Sequence, residues 1–110
     1  MITTHVLDTA RGGPAVGVTV ILELLQASEW TPVGRGITDG KGRVMTLTEG
    51  PIAPGAYRLI FDAAAYQREM GFNTDFFPEV CITFNVQDPD EHYHLPLLLS
   101  PFGYTTYRGS

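Results

Sequence analysis

One cysteine in 110 residues leaves Cys81 without a partner, so the chain has no internal disulfide framework and no Cys-x-x-Cys redox or zinc pair. No Gly-rich phosphate loop and no Gly-x-Ser-x-Gly elbow is present, which removes sequence support for nucleotide binding and for serine-esterase chemistry. Basic residues are scarce: 7 Lys and Arg stand against 12 Asp and Glu, for a formal net charge of −5, and they form no cluster. Phosphate backbones are bound by concentrated positive charge, so nucleic acid is not an expected partner. No apolar run approaches the roughly 20 residues that cross a bilayer as a helix, and no membrane partner is expected. The amino terminus lacks a charged region followed by an apolar one, so no signal peptide is read in this chain. The expectation is a cytoplasmic protein of a reducing compartment, with a removed presequence or a fusion partner left open. What the chain does have is 44% hydrophobic residues with 12 Gly and 8 Pro spread along it, the composition of a globular domain with many turns. Its length predicts one domain over residues 1–110.

Turn formers separate short β-type segments. Residues 2–8 are β-branched and break at Arg11-Gly12-Gly13-Pro14. Over 16–25, Val16, Val18, Val20, Leu22 and Leu24 share one face and the other face is partly apolar, the pattern of a central strand. A third strand is predicted over 30–38, then a turn at Asp39-Gly40-Lys41-Gly42 whose glycines can take positive φ, then a fourth strand over 43–47. Two prolines and two glycines within 49–55 make that stretch a loop. Residues 56–61 set Tyr57, Leu59 and Phe61 on one apolar face. Asp62 is predicted to cap the one helix, over 63–70, and Gly71 to stop it. Strands over 80–86, 92–99 and 104–108 complete a set of eight, with a turn at Asp88-Pro89-Asp90. Eight short strands and one helix predict an all-β, two-sheet sandwich. Pro96 falls inside a predicted strand, where it forfeits a ladder hydrogen bond, and implies an edge, a bulge or an exposed site.

His92 and His94 are two residues apart on a predicted strand and therefore share a face. Three readings stay open for them: satisfied structural residues, an acid/base pair, or metal ligands joined by His5, since three imidazoles are the ligand count of one type of catalytic zinc site. Arg43 follows a glycine turn and reads either as a solvated cation or as a clamp for an anion or oxyanion. Chain ends usually fray. Here aromatic and Leu-rich sequence runs from His92 to the final Tyr107-Arg108-Gly109-Ser110, so the tail reads as a docked, working segment and residues 91–110 as the site-bearing end of an enzyme.

Thr4-His5-Val6-Leu7-Asp8-Thr9, Gly42-Arg43, Phe76-Phe77-Pro78-Glu79-Val80, and His92-Tyr93-His94-Leu95-Pro96 through Ser100-Pro101 into Tyr107-Arg108-Gly109-Ser110 together resemble the transthyretin-related 5-hydroxyisourate hydrolases, over essentially the whole chain. The terminal tetrapeptide is the specific part, because the hormone-carrying transthyretins share the sandwich and lack this ending. No motif position departs from the family pattern; Arg11-Gly12-Gly13 and Cys81 lie where the family is expected to vary. The resemblance implies a transthyretin-like sandwich that pairs edge to edge into dimers, with two dimers packing face to face into a homotetramer around a central channel. It implies His5, Arg43, His94 and Ser110 as the catalytic set, Tyr107, Arg108 and Gly109 as substrate-binding residues lining the channel, and a supporting place for His92. It also implies no metal and no cofactor. The implied substrate is 5-hydroxyisourate, an unstable product of urate oxidation in purine breakdown, whose cyclic amide C–N bond is hydrolysed to give 2-oxo-4-hydroxy-4-carboxy-5-ureidoimidazoline. Rivals are a transthyretin-like small-molecule carrier, a zinc hydrolase built on His5, His92 and His94, and a purely structural sandwich. Channel polarity separates the first from the hydrolase, and metal analysis the second.

Overall fold

The alternation of apolar and outward residues builds two sheets that close on one core. A computed structural model describes residues 1–110. Nine strands and one helix run in the order β1 (Ile2–Asp8), β2 (Gly13–Pro14), β3 (Thr19–Gln26), β4 (Glu29–Ile37), β5 (Arg43–Val44), β6 (Gly55–Phe61), α1 (Ala63–Glu69), β7 (Val80–Val86), β8 (Tyr93–Ser100) and β9 (Gly103–Thr106). One sheet has the order β2-β1-β8-β9 with β5 also on β1; the other has the order β4-β3-β6-β7. Between them lie Val6, Val20, Leu22, Leu59, Phe61, Val80 and Leu97, all fully buried. The all-β sandwich with one short helix is as expected. No helix is long and apolar enough to cross a membrane.

The pairing of β1 with β8 is parallel, and its register sets Thr3 beside His94, His5 beside Pro96, and Leu7 beside Leu98. Paired residues project to the same side of a sheet, and successive residues to opposite sides. Ile2, Val6, Tyr93, Leu95, Leu97 and Leu99 therefore fill the core, while Thr3, His5, His94 and Pro96 share the outer face. The far end of β1 is fixed by Asp8, which is buried and fully hydrogen-bonded. Its Oδ1 accepts from the Ala10 and Arg11 N–H groups, and its Oδ2 from the Tyr66 hydroxyl of α1 at 2.6 Å.

Several boundaries differ from the expectation, each for a physical reason. β3 starts at Thr19, not at residue 16, because Gly17 sits at φ +87° and breaks the extended run; Val16 is exposed. The buried Thr38 hydroxyl stitches that break, accepting from Val18 N–H and donating to the Ala15 carbonyl. The predicted strand over 43–47 is only the two residues Arg43–Val44. One edge of β1 is divided between two partners, Leu7–Asp8 with β2 and Thr4–His5 with β5, and Leu47 turns into the core. Gly13–Pro14, read as a turn, is the first of those partners. The last strand ends at Thr106 and not at residue 108, and His92 precedes β8 by one residue.

Pro96 accounts for the early end of β9. It is buried in an inner strand of its sheet, so the expectation of an edge or an exposed site is corrected. With no N–H to give, it interrupts the β8–β9 ladder after Leu97↔Thr106, and its carbonyl is taken by the Thr106 hydroxyl at 2.8 Å. The same register resumes at His94↔Gly109, where Gly109 N–H donates to the His94 carbonyl at 2.7 Å.

Candidate active site

The outer face of the β2-β1-β8-β9 sheet collects the candidate residues, and the register places them. His5 stands between Arg43, its antiparallel partner on β5, and Pro96, its parallel partner on β8. Neighbouring strands lie about 4.8 Å apart, so imidazole and guanidinium leave the sheet side by side. The turn before Arg43 makes this possible. Gly42, at φ +77°, brings its carbonyl to Val6 N–H at 2.7 Å, and a Cβ there would lie 2.5 Å from the Val6 carbonyl oxygen. Only glycine permits that approach. Asp39 ties the turn from within: its Oδ1 accepts from Arg43 N–H and Lys41 N–H, and these bonds hold its carboxyl below the ordinary carboxylate range.

One strand over, His94 is held from two sides. Its Nδ1 lies 2.7 Å from Thr3 Oγ1, and the same hydroxyl lies 2.7 Å from His92 Nε2. The two imidazole centroids are 6.1 Å apart. Against the opposite part of the ring lies the tail: a Cβ on Gly109 would stand 2.7 Å from His94 Cδ2 and 3.2 Å from Pro96 Cγ. Burial pushes the His94 imidazole below its ordinary range, and the positive charges of His92, His5 and Arg43 push it the same way. Both effects favour the neutral ring, which accepts a proton at its bare nitrogen and, in the other tautomer, donates one there.

The structure brings His5, Arg43, His92, His94 and Gly109 to one face, and Ser110 follows Gly109 there as an exposed residue. It does not bring Arg108 to them. That guanidinium lies over the Tyr93 ring, 4.7 Å from its centroid, and donates to Glu91 Oε2 at 3.1 Å. Tyr93 is a core residue, so Arg108 anchors the tail on the other side of the sheet. Tyr107 is opposite Pro96 in the resumed register and is exposed, and the segment Thr106–Arg108 borders an apolar hollow of about 220 Å³ with Ile82, Phe84 and Leu95 at the open edge of the sandwich. The three histidines do not converge as metal ligands: His92 Nε2 and His94 Nδ1 both turn to Thr3, and no group of three His, Cys, Asp or Glu side chains forms a metal site. The residue that sequence reasoning missed is Thr3. The available signal was its place two before His5, on the same face of one strand, but its contact with His94 depends on a parallel pairing between chain ends some 90 residues apart.

The largest surface hollow, about 630 Å³, lies on the other sheet, against Ile21, Ile60 and Pro78, and contains none of these residues. The histidine face itself is an open sheet surface in the single chain.

Comparison with known proteins gives the family and the fold. The model of the HIUase/Transthyretin family matches residues 2–109. A 5-hydroxyisourate hydrolase of Salmonella typhimurium is 45% identical over 111 aligned residues, covering 100% of this chain and 81% of the relative. The structure of Klebsiella pneumoniae 5-hydroxyisourate hydrolase superposes with a TM-score of 0.87 at 35% identity, covering 99% of this chain and 97% of that one. Sea bream transthyretin in complex with thyroxine superposes with a TM-score of 0.90, also at 35% identity, covering 98% of this chain and 93% of that one. The sandwich therefore does not separate a hydrolase from a carrier, and the residues on its face have to.

Proposed function

This chain belongs to the HIUase/Transthyretin family, and we propose that within it the protein is a 5-hydroxyisourate hydrolase acting through His5, His94, Arg43 and Ser110, as one domain over residues 1–110. The observation that carries this reading is the meeting of two imidazoles and a guanidinium on one sheet face, with the tail packed against the His94 ring at a position where no side chain fits. Imidazole, guanidinium and hydroxyl groups suit a polar, electron-rich purine derivative. A carrier of a large apolar aromatic needs an apolar face instead.

Hydrolysis of a cyclic amide requires three things of the site. A water must lose a proton as its oxygen bonds to the carbonyl carbon, the resulting oxyanion must be held, and the ring nitrogen must gain a proton as the C–N bond breaks. His5 and His94 divide the proton transfers, the first accepting from water and the second donating to nitrogen or the reverse. Arg43 holds the ring and the oxyanion with the fixed donors of its guanidinium. Ser110, carried beside His94 by Gly109, orients the water. No covalent serine intermediate is invoked, since no group activates its hydroxyl as a nucleophile. Tyr107 and Arg108 serve by seating the tail.

Such chemistry gains most where water is excluded, and an open sheet face excludes little. We therefore propose a homotetramer, a dimer of dimers in which one copy's histidine face is covered by another's. The exposed aromatics Phe76, Phe102 and Tyr104 beside the edge strand β9, and the open backbone edges of β7 and β9, are surfaces such pairing would use. The free, exposed Cys81 fits a reducing compartment such as the cytoplasm. The discriminating experiment generates 5-hydroxyisourate from urate with urate oxidase and follows its ultraviolet decay, beside a calorimetric titration of the same protein with thyroxine. Accelerated decay without thyroxine binding is expected. Tight thyroxine binding without acceleration would make the protein a carrier.

A further inference from the structure

Thr3 has no part in the mechanism above, yet its hydroxyl is the most closely engaged group on the histidine face. The side chain is fully buried, and Oγ1 stands 2.7 Å from His92 Nε2 and 2.7 Å from His94 Nδ1. A hydroxyl has one proton. Placed between two neutral ring nitrogens, it donates to one and accepts an N–H from the other, so only one of the two bridged nitrogens carries a proton.

We propose that Thr3 is a positioning residue that couples His94 to His92 as a proton relay, so that His94 presents its Nε2 first bare, as a base, and then protonated, as an acid. The use of this relay rests on the hydrolase reading; its geometry does not.

In the base state His94 Nδ1–H donates to Thr3, Thr3 donates to His92 Nε2, and His94 Nε2 is free. When Nε2 takes a proton from water, Nδ1–H passes to the Thr3 oxygen and the Thr3 proton passes to His92 Nε2. The positive charge then resides on His92, and His94 is neutral again with a proton on Nε2, ready for the leaving nitrogen. Donation there, with the two relay protons returning, restores the starting state.

The surroundings favour this displacement of charge. An imidazolium at His94 is half-buried and faces His5 from β1, Arg43 from β5 and His92 from the segment before β8. Within the chain His92 is exposed while His94 is half-buried, so a positive charge loses less hydration on His92 than on His94. Gly109 leaves no space for the His94 ring to tilt toward the tail and away from Thr3.

The test is ¹⁵N magnetic resonance of the histidine rings in the full-length protein, titrated across neutral pH, together with steady-state kinetics. Once His92 is protonated its Nε2–H must donate to Thr3, which must then donate to His94 Nδ1. The His94 nitrogens should therefore exchange roles, Nδ1 losing and Nε2 gaining its proton, in step with the titration of His92. Thr3→Val should abolish that coupling and lower kcat about 10- to 100-fold with KM little changed, the usual size of effect for a partner that orients a working histidine. Thr3→Ser should keep the coupling and stay within a few-fold of the parent. His92→Gln, at a position outside the core of the chain, provides a second variant that keeps a hydrogen-bonding side chain: it should leave His94 in one tautomer through the same pH range. Wild-type His94 nitrogens indifferent to His92, coupling that survives in Thr3→Val, or Thr3→Ser as impaired as Thr3→Val would each overturn the proposal. If the parent protein failed to open 5-hydroxyisourate, the hydrolase reading would fall while the ring-nitrogen titration still decided the relay.

Discussion

Replacing Gly109 with alanine is the smallest change that should disable the site, and its effect is calculable from the structure. The added Cβ would stand 2.7 Å from His94 Cδ2, 3.2 Å from Pro96 Cγ and 3.3 Å from the His94 carbonyl oxygen. Carbon atoms rest at about 3.5–4.0 Å, so roughly 1 Å of separation must be found. Pro96 is a rigid ring inside an inner strand, and the His94 ring is fixed at Nδ1 by Thr3. The tail must therefore lift, breaking the Gly109 N–H bond to the His94 carbonyl, or the imidazole must rotate off Thr3. The lost bond is worth about 1 kcal/mol, a Tm decrease of only a few degrees. Catalysis responds more steeply, because a misplacement of about 1 Å in a positioned group costs about 100-fold. Gly109→Ala should thus keep its circular dichroism spectrum and most of its thermal stability while kcat for 5-hydroxyisourate decay falls by about two orders of magnitude. A variant that turned over at the parent rate would refute the claim that the tail and His94 form one unit.

Four further outcomes follow from the same geometry. His94→Asn, Arg43→Ala and Ser110→Ala should each lower kcat by about 10²- to 10⁴-fold, and deletion of residues 107–110 should do the same with the sandwich still folded by circular dichroism. Treatment with EDTA should leave turnover unchanged; loss of activity restored by zinc would transfer the site to a metal. Multi-angle light scattering at micromolar concentration should report about four times the chain mass, and a monomer would remove the covered face proposed above. Because His94 is depressed in the folded protein below its unfolded value, the unfolded chain binds its proton first as pH falls. Stability should therefore decline from near the ordinary histidine range downward until the folded group also protonates, and His94→Asn should flatten that part of a denaturation profile.

How far the sequence could be read is clearest at particular residues. Tyr57, Leu59 and Phe61, alternating on β6, and Asp62 capping α1 through Ala65 N–H, needed only local periodicity and a side chain of the right length, and both are found as expected. The pairing of His92 with His94 on one face was visible from their spacing alone. Residues 43–47 were not: whether they pair depends on β2 and β5 sharing one edge of β1, which is a property of the assembled sheet. Pro96 gave a true signal of a broken ladder, but its place in an inner strand depends on the neighbours on both sides. Thr3 and the turning away of Arg108 belong to the same class, since both depend on contacts between segments distant along the chain. The resemblance supplied His5, Arg43, His94 and Ser110 as a group; the structure adds the physical reason why the first three share a face, the parallel β1–β8 register for His5 and His94 and the antiparallel β1–β5 pairing for Arg43.

The most direct measurement of the central claim is the ultraviolet decay of freshly generated 5-hydroxyisourate, recorded with catalytic amounts of the parent protein and of His94→Asn against the spontaneous rate. Decay should be rapid and proportional to parent protein concentration, and the trace for His94→Asn slower by at least about 100-fold. Parent and spontaneous traces that superimpose, in a protein shown to be folded, would contradict the claim.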